Sequence, residues 1–182
     1  MNEQNQHLDL GRNSFYGVCA APATPPGQSG LAVIRLSGPG SAQAVDLLFR
    51  PNSPRFGSVA AMAGYTCAVG DLIDPDDAGL IDRVVITRFV APHSFTGEDV
   101  VEISCHGGVS VKQTILDCLF KLGVRPAEPG EFSKRAFMNG KMDLTQAEAV
   151  MDLIQAEARK STKVAAAQLH GALSKRIRQL SD

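Results

Sequence analysis

The chain has 182 residues, 44% hydrophobic and 20% charged, with 18 Lys and Arg against 19 Asp and Glu. That mix suits a globular fold with one sizeable core. A net charge of −1 gives no global pull toward nucleic acid or an anionic membrane, so any RNA contact must come from a local patch or a partner. No apolar run reaches the length of a membrane span. Residues 1–13 scatter Glu3, Asp9 and Arg12 without an apolar stretch and read as a flexible leader, not a signal peptide. The four cysteines (Cys19, Cys67, Cys105, Cys118) form no C-x-x-C pair and fit no zinc spacing. They read as small buried hydrophobes in a reducing cytosol. His7, His93, His106 and His170 are too dispersed to ligate a metal.

In chain order, residues 14–21 are compatible with a strand, and 22–30 form a Pro- and Gly-rich loop. Residues 31–36 predict a strong strand. The turn at 37–40 leads to a helix capped by Ser41, with Ala44, Val45, Leu47 and Leu48 as its apolar stripe. Residues 51–57 read as loop. Strands at 65–69 and 84–90 flank the turn 74–77 and can pair as a long hairpin. Residues 100–105 predict a strand that Gly107 and Gly108 turn into a helix over 109–121, and 124–127 can form a short strand. After Pro129-Gly130 a helix is expected to bury Phe132, Ala136 and Phe137 and to stop at Asn139-Gly140, which leaves Lys141 in a hinge. Thr145 and Glu148 fit a capping box for a final helix over 146–180, about 50 Å long if straight. Its stripe runs through Ala147, Val150, Met151, Ile154, Ala158, Val164 or Ala165, Leu169, Leu173, Ile177 and Leu180. A domain of this size cannot cover that length. The helix either breaks near Gly171 or packs its far half on something outside the chain, and the second fits better. Strands and helices mix without regular alternation, so the expected class is α+β, a mixed sheet with packed helices. The long helix opens a truncated all-α domain.

Few motifs carry chemistry by themselves. The segment after Leu31 fails the G-x-G-x-x-G dinucleotide pattern, with Gln43 at the third glycine, and no P-loop is present anywhere. Arg35 shares a strand face with Leu31 and Val33; it either snorkels to water or, if buried, needs an anionic partner. Glu102 shares a face with Val100, Ser104 and His106. That face is solvated, or it lines a ligand pocket next to a helix N-terminus. Cys105 and His106 are adjacent on a strand and point to opposite faces, which excludes a thiol–imidazole dyad. Lys160, Lys163, Lys175, Arg176 and Arg178 read as a solvated helix face more than an RNA contact.

Several blocks then occur in a familiar order. They are Thr24-Pro25-Pro26-Gly27, Ile34-Arg35-Leu36-Ser37-Gly38, Ser94-Phe95-Thr96-Gly97-Glu98-Asp99-Val100, Glu102, His106-Gly107-Gly108, Pro129-Gly130-Glu131-Phe132, Arg135-Ala136-Phe137 and Asn139 through Ala149. Over roughly residues 14–180 the chain resembles the amino-terminal part of the tRNA modification GTPase family MnmE (TrmE). The resemblance implies a folate-binding and dimerisation domain at 14–140. It makes 141–182 the start of a central helical domain whose inserted GTPase domain, with its GTP, Mg and K ions, is absent here. It implies a cytoplasmic, membrane-free homodimer. With a flavin-containing partner, MnmG (GidA), the complete family enzyme helps install a 5-(carboxymethyl)aminomethyl-type group on the wobble uridine of tRNA. The cofactor is a tetrahydrofolate derivative, 5-formyl or 5,10-methylene. Three family folate contacts match Arg35, Glu102 and Lys141; no catalytic residue and no metal ligand carries over. Without the P-loop and the C-terminal Cys motif the chain alone is expected to be inactive. Gln28-Ser29 stands where the family usually has Arg-Gly, so one positive charge is missing from that loop. A carboxylate such as Glu102 suits the adjacent amide N–H and amine of a pterin, and Arg35 or Lys141 suits the ligand's carboxylate tail. The other reading is a non-catalytic dimerisation scaffold with an incomplete folate site. An aminomethyltransferase of the glycine-cleavage type shares the folate domain by analogy only, and the capping-box helix after Asn139-Gly140-Lys141 points away from it.

Overall fold

The structure, a computed structural model, describes residues 17–155 and 165–171. Its elements are β1 (Cys19–Pro22), β2 (Ser29–Ser37), α1 (Ser41–Asp46), β3 (Phe49–Pro51), a 3₁₀ turn (Val59–Ala61), β4 (Thr66–Ile73), β5 (Leu80–Phe89), β6 (Val100–Gly107), α2 (Val109–Lys121), β7 (Arg125–Pro126), α3 (Glu131–Met138) and α4 (Leu144–Gln155). The seven strands form one mixed sheet in the order β3-β4-β5-β6-β2-β1-β7, antiparallel except for the β1–β7 pair. The class is α+β. The chain divides into two compact units between Pro129 and Gly130. The expected leader at 1–13 and the stripe positions Ala158, Val164, Leu173, Ile177 and Leu180 lie outside the described residues, as do the five basic residues of the late helix.

In the first unit the period-2 alternation of the strands decides which face is buried. Ala32, Ile34 and Leu36 of β2, Val101, Ile103 and Cys105 of β6, Val84 and Ile86 of β5, and Ala68 and Leu72 of β4 form one cluster with Val45, Leu48, Ile115 and Leu119. Each fully buried Ile or Leu side chain contributes roughly 1.5–3 kcal/mol. Helices α1 and α2 both pack on this face. Neither covers the opposite face, where Leu31, Val69 and Val85 are exposed. The hairpin expected across residues 74–77 is the β4–β5 pair, longer at both inner ends than predicted.

Helix α1 departs from its predicted cap. Gly40, in left-handed backbone, is the N-cap, and Ser41 instead donates from Oγ to the Asp99 carbonyl at 3.2 Å. The helix is also shorter than its apolar stripe: it ends at Asp46 with Leu47 as C-cap, half of that side chain exposed. Phe49–Pro51, of which only Pro51 was expected as loop, adds an edge strand against β4. Three of the four cysteines are buried as expected; Cys67 is exposed.

In the second unit, α3 occupies its predicted span, with Ala136 buried and Phe132 partly buried as expected but Phe137 47% exposed. Glu131 and Arg135, one turn apart, are also buried and pair with each other. Gly140 (φ 68°) closes α3, with the Lys141 N–H donating back to the Ala136 carbonyl at 2.8 Å in the six-to-one pattern of a Schellman turn. Helix α4 does open with a capping box, but one formed by Asp143 and Gln146. Asp143 Oδ1 accepts from the Gln146 N–H and Gln146 Oε1 from the Asp143 N–H, both at 2.9 Å. Thr145 donates to the same Asp143 oxygen at 2.7 Å.

The single long helix is overturned. Gln146 Nε2 donates to the Leu169 carbonyl at 2.7 Å. In one continuous helix those residues would stand about 35 Å apart. Residues 146 and 169 therefore do not lie on one straight helix, and a left-handed Gly171 ends the helical stretch 165–169 at the position named as a possible break.

Candidate functional site

The antiparallel register of β2 and β6 sets Arg35 directly opposite Glu102, on the face away from the helices. Arg35 Nε and Nη2 both donate to Glu102 Oε1, at 2.9 and 2.7 Å. Both side chains are 23% exposed. The buried-arginine alternative therefore holds in part: Arg35 has an anionic partner, and that partner is the second predicted site residue. Among the described residues no hydrogen bond engages Glu102 Oε2, so this oxygen remains an acceptor for an incoming donor. Register alone brings two residues 67 positions apart into contact, which no short-range pattern reveals.

The loop between β5 and β6 completes the surroundings. Its Phe95 ring lies over the Arg35 guanidinium, with Cζ 5.0 Å from the ring centroid. Thr96 and Glu98 anchor the loop to the end of β2. Ser37 Oγ lies 2.7 Å from Thr96 Oγ1 and donates to Glu98 Oε2 at 2.8 Å, and Ser37 and Thr96 are fully buried. Gly38 N–H adds a bond to the Asp99 carbonyl at 3.0 Å. The Ser-Phe-Thr-Gly-Glu-Asp motif and the Ile-Arg-Leu-Ser-Gly motif thus hold each other, and the first presses an aromatic ring onto the arginine of the second. Phe95 was within reach of sequence reasoning, because it sits inside a quoted motif; its target was not.

Lys141, the third predicted residue, belongs to the second unit, immediately after Gly140, and is exposed. The structure brings Arg35 and Glu102 together and describes Lys141 within its own unit.

At the other end of β6, His106 finds a partner that the sequence did not indicate. Asp82, largely buried, accepts the His106 backbone N–H at 2.8 Å and pairs with Nδ1 at 2.6 Å. Cys105 points the other way into the core, where burial raises its thiol pKa, as the rejected dyad required. Gly107 lacks a side chain for a local reason: a Cβ there would fall against the Ser29 carbonyl on β2. The loop carrying Gln28-Ser29 is tied down by Lys112, which donates from Nζ to the Gly27 carbonyl at 2.7 Å. A depression of about 240 Å³ lies at the β4–β5 turn, lined by Asp74, Asp77, Gly79, Ser110 and Thr114 among others. None of Arg35, Glu102 or Lys141 lines it. Asp74 and Asp77 are spent on N–H groups of their own turn, so the hollow is a feature of that turn. Among the described residues no cluster of three or more metal-ligating side chains occurs, and no helix is long and apolar enough to cross a membrane.

The first unit is thus an α+β domain with a paired carboxylate and guanidinium on the sheet face opposite α1 and α2. A family model described as GTP-binding protein TrmE N-terminus matches residues 18–141, and the chain belongs to that family. It is 45% identical over 158 residues to the tRNA modification GTPase MnmE of Carboxydothermus hydrogenoformans, covering 87% of this chain and 34% of that protein. It is 46% identical to the MnmE of Heliobacterium modesticaldum, covering 90% and 34%, and 47% identical to that of Natranaerobius thermophilus, covering 90% and 35%. The chain spans about a third of the length of these relatives.

Proposed function

We propose that this chain is the folate-binding and homodimerising portion of a tRNA modification GTPase. The observation that carries the reading is the cross-strand Arg35–Glu102 pair on the uncovered sheet face, inside the family-matched region. Glu102 receives the pterin amide N–H and amine, with Oε2 as the open acceptor. Arg35 holds the carboxylate in place, and Phe95 holds Arg35. Lys141, the third residue that the resemblance matches to a folate contact, is assigned as a further ligand contact. The domain runs over 14–140, and the helices from 141 onward begin the central helical domain of the longer protein. Exposed Leu31, Val69 and Val85 on the same sheet face supply an apolar surface for a second copy. In the complete enzyme the bound tetrahydrofolate derivative, 5-formyl or 5,10-methylene, supplies one carbon for the wobble-uridine modification of tRNA. That step proceeds in the cytoplasm with MnmG, while GTP, Mg and K ions serve the family's GTPase domain.

Calorimetric titration of 5-formyltetrahydrofolate into the chain, with light scattering for its mass, tests this. Heat of binding and a dimer are expected, and Lys141→Ala should weaken binding without altering the dimer. A dimer that gives no heat and no thermal shift replaces the ligand reading with the scaffold reading. Specifically favouring the scaffold is the fact that Glu102 already has a partner in Arg35.

A further inference from the structure

The sheet face that carries Glu102 also carries an aromatic pair, exposed Tyr65 and half-buried Phe89. Tyr65 extends the β4–β5 ladder by one position, with its N–H donating to the Arg88 carbonyl at 2.8 Å, and so stands opposite Phe89. The two rings meet edge to face, centroids 5.8 Å apart at 89°. Tyr65 holds a left-handed backbone (φ 61°), a conformation disfavoured for any residue with a Cβ and unusual for a bulky one. Core burial does not offset that strain, because Tyr65 is 65% exposed. A strained, outward-facing ring points to a role outside the fold.

Its position indicates which role. Thr87 is the cross-strand partner of Glu102, and Phe89 that of Val100. Phe89 is therefore the diagonal neighbour of Glu102 on the same face, about 7–8 Å away by strand geometry. Phe95 packs over Arg35 on the β2 side, and Phe89 with Tyr65 stands on the same face toward β4. A flat donor to Glu102 Oε2 that extends toward β4 would meet Phe89 and then Tyr65. The ligand that fits is planar or nearly so, carries adjacent N–H donors on its edge, and offers a ring face to an aromatic side chain.

We infer that Tyr65, braced by Phe89, is a ring-contacting residue of the Glu102 site that selects a pterin-type heterocycle, and that its left-handed backbone is retained for this contact. The inference rests on the folate reading and deepens it. Glycine at position 65 separates its two parts, because glycine adopts positive φ without strain. Tyr65→Gly should melt at the same or a higher temperature than the parent chain and yet bind 5-formyltetrahydrofolate roughly tenfold more weakly, the size expected for one lost aromatic contact. Tyr65→Phe should bind within about threefold of the parent, since the ring and not the hydroxyl is used. Isotope labelling of tyrosine should show nuclear Overhauser contacts between the Tyr65 ring and the pterin protons. Tyr65→Gly that binds like the parent overturns the inference and leaves the folate reading intact. Absence of binding in the parent itself overturns both.

Discussion

The structure contains two arginine–glutamate pairs built to one geometry. In each, Nε at 2.9 Å and Nη2 at 2.7 Å donate to a single Oε1. Glu131–Arg135 spans one turn of α3 in the second unit and is almost wholly buried, at 6% and 2% exposure. Arg35–Glu102 spans two strands of the first unit and is 23% exposed on both sides. The chemistry is the same, and burial assigns the roles. A buried pair is a condition of the fold, since loss of either partner strands a charge in a low-dielectric interior. A partly exposed pair costs less to break and keeps a preoriented carboxylate in contact with solvent.

Neutralising one member at a time sharpens that contrast. The largest expected effect is Glu131→Gln or Arg135→Met, each predicted to destabilise the second unit by about 3–5 kcal/mol, read as loss of its cooperative transition in urea. Next is Glu102→Gln, predicted to cost no more than about 1 kcal/mol in the same melt while ligand affinity falls by more than tenfold. If the two pairs respond alike, burial is not what separates them. A smaller effect concerns pH. Burial pushes the Cys118 thiol from 9.0 up to about 11. A raised folded-state pKa means that the stabilisation is complete below pH 9 and is lost as pH rises toward 11. Cys118→Ala should flatten that part of the stability–pH profile relative to the parent. The smallest concerns Asp71, whose hydrogen bond to Arg83 holds its carboxyl below the usual 3.8. Its contribution is present above that pH and lost as pH falls through the lower folded value. Asp71→Asn should lower the melting temperature slightly at pH 7, with the difference from the parent fading as pH falls through the lower folded value.

The two pairs also differ in how far the sequence revealed them. Glu131 and Arg135 are four apart on a predicted helix, a spacing that brings side chains together, yet the apolar stripe through Phe132, Ala136 and Phe137 drew attention away from them. Arg35 and Glu102 were each placed on the correct strand and strand face; their contact awaited the β2–β6 register, which depends on the whole sheet. The α2 span was legible because Gly107-Gly108 and a clean 3.6-residue period bound it. That Gln146 and Leu169 meet was not, because one apolar helical period runs through the sequence between them. The capping box at 143–146 was missed for a similar reason: Thr145-x-x-Glu148 fits the same pattern two residues later, and only hydrogen-bond geometry separates the two. Tyr65 gave no signal, since backbone sign is invisible in a residue that is not glycine.

The central claim is that the Glu102 carboxylate, held by Arg35 on an uncovered sheet, is a ligand acceptor and not a structural charge. Parallel calorimetric titrations of 5-formyltetrahydrofolate into the parent chain and Glu102→Gln, each checked by circular dichroism, test it most directly. The account predicts unchanged spectra and at least a tenfold loss of affinity in the variant; equal affinities with both proteins folded would contradict it.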